Sequence, residues 1–154
     1  MIRFGKTLFL LMGVLSTVAM AHADAPVMPW PTGWQMEDVP QGDGKAGVSR
    51  QRAVKNNQAG EPVMVMELTM TQVETGHQVN LEAVLLEMRK SVQKGFYQSG
   101  YQSACSRIHA TTLSRLPALE TTCTITQNGR HVLSQTLVAA VDADKAYVLS
   151  YAGQ

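Results

Sequence analysis

Only one segment of this 154-residue chain has a clear helical period, and every segment after it has the pattern of a β-strand. The helical segment covers residues 80–100 (NLEAVLLEMRKSVQKGFYQSG), where apolar side chains recur every three or four positions. Asn80 is placed to cap the start of the helix, and Gly100 is placed to end it. A helix with a single apolar stripe must bury that stripe, so we expect it to pack on a β-sheet.

Strand patterns lie on both sides of this helix. Four follow it, with the sequences YQSACSRIHATTL, LPALETTCTITQ, RHVLSQTLVAAV and KAYVLSY, and Asn128-Gly129 predicts a two-residue hairpin between the second and the third. Three precede it, with the sequences WQMED, VSRQRAVK and VMVMELTMTQV. Because strands joined by short turns pair antiparallel, the sequence predicts the α+β class, an antiparallel β-sheet with helix packing.

The first 23 residues have the features of a secretory signal peptide. Two cations, Arg3 and Lys6, precede an apolar run over residues 8–20, and Ala21 and Ala23 form an A-x-A cleavage site. The run is shorter than the roughly 20 residues that a membrane-spanning helix needs. We therefore expect residues 1–23 to be removed, the mature protein to be periplasmic, and no transmembrane anchor to remain.

The expected mature chain, residues 24–154, has the length of a single domain. It carries 11 basic and 12 acidic residues, which gives a net charge of −1. The longest basic cluster is the pair Arg89-Lys90, and a chain without a stripe of cations has little to attract a phosphate backbone. The composition therefore does not favour a nucleic-acid partner, and no phosphate-binding loop or serine-hydrolase motif indicates a cofactor or an enzyme.

The order of short strands, a long strand, one helix and a meander of hairpins resembles the PsbP/DcrB-like fold, an α/β/α sandwich. The resemblance covers residues 31–151 and is carried by the opening Pro31-Thr32-Gly33-Trp34, by GFYQSG in the helix and by the last two strands, which end in AYVLSY. Within that group the chain is similar to exported bacterial proteins of unassigned function. The resemblance implies an accessory, assembly or chaperone-like module, and it transfers no catalytic residue to this chain.

The end of the sequence departs from this group. PsbP-like domains usually close with a C-terminal helix on the sheet, whereas this sequence stops at Gln154, three residues past Tyr151. Either the sequence is cut short or one face of the sheet stays open. An open face with side chains such as Leu137, Val148 or Tyr151 would form an exposed apolar patch, and such patches usually bind a partner or aggregate.

The only two cysteines, Cys105 and Cys123, are expected to pair because the protein is predicted to be exported. A hairpin centred near Ser114 would place them opposite each other, within disulfide range. The alternation of the neighbouring apolar residues points Cys105 outward and Cys123 inward. A bulge near Ser106 would bring both onto one face, and we predict a structural disulfide.

Two other uses of these cysteines are less favoured. A zinc site built from Cys105, Cys123 and His109 lacks a fourth ligand at a recognisable spacing. A cysteine nucleophile with His109 or His131 as its base would need a reduced thiol with a lowered pKa, and no nearby residue favours one. The sequence therefore predicts neither a metal site nor a catalytic residue here.

Three methionines, Met64, Met66 and Met70, share one face of the strand VMVMELTMTQV. Thioether sulfurs bind copper(I), so a copper site is one interpretation. Methionine also fills gaps in apolar cores, and the same face is expected to receive Leu85 and Met88 of the helix. We therefore predict that these methionines pack in the core and that the protein holds no metal or cofactor.

Trp30 and Trp34 lie in a proline-rich lead-in, and either this lead-in or the less covered face of the sheet is the candidate contact surface for a partner. For the two tryptophans, packing on their own domain is the favoured interpretation, and partner binding is the alternative. The sequence as a whole favours a non-enzymatic periplasmic accessory module that binds a protein or envelope partner. An immunity-type inhibitor of an exported toxin fits the same features. A copper carrier or an enzyme of unrecognised type fits them less well.

Overall fold

The computed structural model of the protein describes residues 30–37, 39 and 47–154. The predicted signal peptide and residues 24–29 lie outside the described residues. The described elements, in chain order, are β1 Gln35–Glu37, β2 Val48–Asn56, β3 Pro62–Gln72, α1 Leu81–Gln98, β4 Gln102–Cys105, β5 His109–Leu113, β6 Leu116–Gln127, β7 Arg130–Asp142 and β8 Lys145–Gly153.

All the described strands join one antiparallel sheet. Neighbours follow the order β1-β2-β3-β8-β7-β6, and both β4 and β5 pair with β6 at the far edge. Strand β8 therefore lies in the middle of the sheet, between β3 and β7. The predicted α+β class, an antiparallel sheet with a packed helix, is confirmed.

The turn between β6 and β7 is formed by Asn128 and Gly129, whose φ angles of 51° and 75° are both left-handed. These two residue types tolerate that conformation best, and the predicted two-residue hairpin is confirmed. The turn between β5 and β6 is equally short, and its first residue, Ser114, has a φ of 56°. Tight turns of this kind help to fix the pairing register of the strands that they join.

Both ends of α1 are capped by local hydrogen bonds. The side-chain oxygen of Asn80 accepts a hydrogen bond of 3.0 Å from the N–H of Ala83, as the sequence predicts. After the helix, Gly100 has a φ of 83°, and the N–H of Tyr101 donates back to the Phe96 carbonyl at 2.9 Å. The rings of Phe96 and Tyr101 meet edge to face, which completes a Schellman-type end.

Helix α1 packs on one face of the sheet, over β4, β6 and β7, and we call this side the helix face. Leu85 is fully buried against Leu137 and Ala139. Burial of such a leucine side chain contributes roughly 2 kcal/mol to stability. The helix is therefore held chiefly by its apolar stripe, as its sequence period predicts.

The methionines Met64, Met66 and Met70 lie on the other face, and the prediction that they receive the helix is wrong. Thr69 pairs with Val148, which packs beneath the helix, so the odd-numbered residues of β3 share the helix face and the even-numbered ones do not. The sequence pattern shows which residues of a strand share a face, but it does not show which of the two faces the helix covers. That choice depends on strand order and on the position of β8.

The predicted composition of the open face needs the same correction. Leu137 and Val148 lie beneath the helix, whereas Tyr151 lies on the opposite side. We call that opposite side the methionine face, and its larger apolar side chains are Met36, Met64, Met66, Leu68, Met70, Val138, Tyr147, Leu149 and Tyr151. Among the elements described above, none packs over it.

Candidate functional site

Cys105 and Cys123 form a disulfide that ties β4 to β6. Their Cα atoms are 3.9 Å apart, and the two residues lie directly opposite each other in the sheet. The pairing shifts by one residue before β5, because residues 106–108 face only Thr121 and Thr122 of β6. The N–H of Ser106 donates to the Thr122 carbonyl at 2.8 Å, which anchors this bulge. The bulge places both sulfurs on the helix face, which resolves the conflict in the sequence pattern.

The disulfide leaves neither cysteine as a free thiol. Cys123 is fully buried, and His109 lies on the methionine face, on the other side of the sheet. The Nε2 atom of His109 lies 3.1 Å from Glu120 Oε1, and its Nδ1 atom lies 3.2 Å from the Arg107 carbonyl oxygen. Both ring nitrogens thus have protein partners, and the ring is not aimed at either sulfur.

The other histidine named with the cysteines, His131, contacts the hydroxyl of Ser134 at 3.0 Å. In the part of the chain that the structure describes, no three His, Cys, Asp or Glu side chains lie close enough to hold a metal ion. The described side chains thus offer no zinc-type cluster around the disulfide.

The two predicted partner-binding residues, Trp30 and Trp34, are both half-buried. The Nε1 atom of Trp30 is buried without a hydrogen-bond partner in the described structure. The most exposed large apolar side chains are instead Met36, 54% exposed, and Tyr97, 79% exposed. A partner-binding role for the tryptophans stays a prediction, whereas Met36 extends the methionine face at its β1 edge.

The centre of the methionine face is a strip formed by alternate residues of β3 and β8. Met66 pairs with Tyr151, and Leu68 pairs with Leu149, so large apolar side chains lie side by side across the two strands. From Met64 to Met70 the strip extends about 20 Å, and two adjacent strands make it about 10 Å wide. Leu149 is buried and the other side chains of the strip are half-buried, so part of their apolar area stays open to solvent.

Polar side chains lie along both borders of this strip, interrupted by Ala53 on the β2 side and by Val138 on the β7 side. On the β2 side they are Ser49, Gln51 and Lys55. On the β7 side the hydroxyls of Thr136 and Thr122 lie 2.9 Å apart and hydrogen bond to each other. At the Met70 end, the apolar surface continues toward the edge of the sheet through Ala140 of β7, Ala118 and Leu116 of β6, and Leu113 of β5.

A second candidate surface is a polar cavity of about 370 Å³ on the helix face, beyond the reach of α1. Its polar lining comes from Arg52, Glu67, Gln135 and Ser150. Arg52 is ion-paired with Glu37 at 3.3 Å, and the side-chain amide of Gln135 donates to the Ser150 hydroxyl at 3.0 Å. These contacts are internal to the sheet, and the cavity is open to solvent. Its charges nearly balance, so the cavity favours no single ligand chemistry.

A third depression, of about 300 Å³, lies beside the C-terminal half of α1. It is mostly apolar and is lined by Ser91, Val92, Gly95, Phe96, Ser99 and Tyr101. Its size is that of a small ligand pocket, yet no charged side chain lines it. The larger continuous apolar surface is the methionine face.

None of the helices within residues 30–37, 39 and 47–154 combines the length and the apolar character needed to cross a membrane.

The fold is similar to that of a solved protein, the cyanobacterial PsbP protein (CyanoP) from Synechocystis sp. PCC 6803, known from its solution structure. The two chains superpose with a TM-score of 0.56 and share 12% sequence identity. The match covers 80% of this chain and 71% of the other. The predicted PsbP-like fold is therefore confirmed, and at this identity the likeness concerns the fold alone.

No curated protein matches the sequence. Its residues 25–154 do match a protein family, described as a domain of unknown function, DUF4946. The chain therefore belongs to the DUF4946 family, and it carries that family's domain on a PsbP-like sheet.

Proposed function

We propose that this protein is a non-enzymatic binding module of the cell envelope, exported by its first 23 residues, that docks a protein or envelope partner on the methionine face. The observation that carries the proposal is the broad apolar surface of β3 and β8, over which no described element packs. The largest contiguous apolar patch on a monomeric protein is often an interaction site.

The chemistry of this surface favours binding. Methionine side chains are flexible and polarisable, so they adapt to the shape of a partner, and two tyrosines add rigid area. Each Å² of apolar surface removed from water contributes about 25 cal/mol, so even partial cover of Met66, Leu68 and Tyr151 is favourable. An exported protein meets its partners in the envelope, which is why we place the function there.

The absence of an evident catalytic constellation among the described residues supports the non-enzymatic part of the proposal. Cys105 and Cys123 are bonded to each other. His109 and Glu120 are hydrogen bonded to each other at a sheet edge, and neither lines the polar cavity or the depression beside α1. The two cysteines, His109 and Glu120 are therefore engaged in contacts within the fold.

The test is site-specific photo-crosslinking in the cells that export the protein. A photoreactive phenylalanine derivative replaces Tyr151 on the methionine face in one strain and Tyr97, the most exposed aromatic residue of the helix, in the other. We expect a discrete crosslinked species from position 151 and none from position 97. No adduct at 151, or equal adducts at both positions, would contradict docking on this face.

A further inference from the structure

The dimensions of the strip on the methionine face match those of one α-helix. The strip is about 20 Å long and two strands wide, or about 10 Å. An α-helix with its side chains is about 10 Å across, and about 13 residues of it span 20 Å. A single helix would thus cover Met66, Leu68 and Tyr151, and the smaller apolar side chains Val138 and Ala140 of β7 would lie beside it.

The polar borders of the strip argue against a second copy of this chain as the occupant. Two sheets packed face to face would also cover the β6 side, where Glu120 and His109 are hydrogen bonded to each other, and the β2 side with Lys55. Burial of such groups without new partners is costly. A helix confined to β3 and β8 avoids that cost because it leaves both borders in water.

The strip has a lysine near each end. Lys55 lies opposite Met64 at one end, and Lys145 lies opposite Gln72 at the other. Asp142 of β7 lies opposite Lys145, yet neither lysine forms an ion pair within the described structure. An occupant with acidic side chains near both of its ends would give each lysine a partner.

From these three observations we infer that the methionine face receives one amphipathic helix of a partner protein, about 13 residues long, with an apolar stripe and acidic residues at its ends. This inference rests on the proposed function and names the occupant of the same surface. The methionines contact the apolar stripe, and Lys55 and Lys145 set the position of the helix along the strip.

The inference is tested with two synthetic amphipathic peptides added to the purified exported protein. Both have the same leucine stripe over about 13 residues, and they differ only in their flanks, which carry glutamates in one and lysines in the other. NMR of the methionine methyl groups reports binding. We expect shifts at Met66 and Met70, no shift at Met88 on the sheet-facing side of α1, and roughly fivefold tighter binding of the glutamate peptide.

A double variant, Lys55→Glu with Lys145→Glu, serves as the matched control. It is expected to reverse the preference between the two peptides while the spectrum of the helix face stays unchanged. Failure of both peptides to shift Met66 and Met70 would overturn the helix as occupant. Methyl shifts that appear on concentrating the protein alone would overturn it in favour of a second copy.

The crosslinking experiment tests the docking surface, and the peptide experiment tests the helical occupant, so each can fail without the other. If a photoreactive group at position 151 crosslinks in cells but the peptides do not bind, the docking surface stands and the helical occupant is wrong. If neither result is obtained, both the proposed function and this inference are wrong.

Discussion

Met66 of β3 lies directly opposite Tyr151 of β8, on the side of the sheet that the helix does not cover. Both side chains are half-buried, although they belong to the two strands at the middle of the sheet. Central strands normally supply the best-buried residues of a domain. The incomplete burial of Met66 and Tyr151 therefore indicates an apolar surface that is available to a partner.

The two faces of the sheet should differ in their contribution to stability. Leu85→Ala removes a fully buried side chain beneath the helix and is expected to lower the free energy of unfolding by about 2–5 kcal/mol. Leu68→Ala, on the half-buried methionine face, should cost only roughly 1–2 kcal/mol. Urea unfolding of the two variants measures the difference. Equal losses would mean that the methionine face is as well packed as the helix face.

The disulfide should contribute measurably to stability. Cys105 and Cys123 are 18 positions apart, and a loop of this size gives about 3 kcal/mol in the chain-entropy description. The double variant Cys105→Ala with Cys123→Ala is expected to lose that amount in guanidinium unfolding. Wild-type protein unfolded with a reductant is the control and should show a similar loss, since it lacks the same crosslink.

The cap of the helix offers a local test. Asn80→Ala removes the side-chain oxygen that accepts from the N–H of Ala83, and it should destabilise the protein by about 1 kcal/mol. Asn80→Ser keeps an acceptor in the same place and should change stability little. Thermal unfolding of both variants measures the difference in stability. An equal loss in the two variants would show that the hydrogen bond from Ala83 to the side chain of residue 80 does not stabilise the helix.

Gly95 sits inside α1, where glycine is a poor helix former. A methyl group added at this position would meet no atom within 4 Å, so Gly95→Ala should stabilise the protein by about 0.5–1 kcal/mol. Gly129→Ala is the contrasting variant, because the φ of 75° in the β6–β7 turn favours glycine. Gly129→Ala should lower the free energy of unfolding by about 1–2 kcal/mol. Urea unfolding measures the effect of both glycine substitutions.

Mild peroxide treatment should distinguish the methionines by position. Met36 is 54% exposed and is expected to form its sulfoxide before Met88, which packs between α1 and the sheet. Peptide mass spectrometry over a time course gives the order. A partner bound to the methionine face should slow the oxidation of Met66 and Met70, which gives an independent measure of docking.

The local features of this fold could be predicted from sequence because each depends on a few adjacent residues. The cap at Asn80 and the turn at Asn128-Gly129 are of this kind. The bulge beside Cys105 could also be predicted, because two alternating patterns on either side of Ser106 are out of step by one residue.

The placement of the methionines could not be predicted in the same way. Met66 and Leu68 share a face in any β-strand, but which face meets the helix is settled by Val148 of β8, some 80 residues further along the chain. The candidate surface therefore became visible only when strand order was known. Trp30 and Trp34 are candidates for partner binding from sequence because they are large aromatic residues beside prolines. In the structure both side chains are half-buried.

The central position of β8 has a consequence for the order in which the sheet can close. Strands β1 to β3 and strands β4 to β7 form two halves of the sheet that, among the described elements, only β8 joins. Neither half can complete its pairing until residues 145–153 are in place, so closure of the sheet depends on contacts between distant parts of the chain. Contacts of this kind form slowly, and we expect the pairing of β3 with β8 to be a late step of folding.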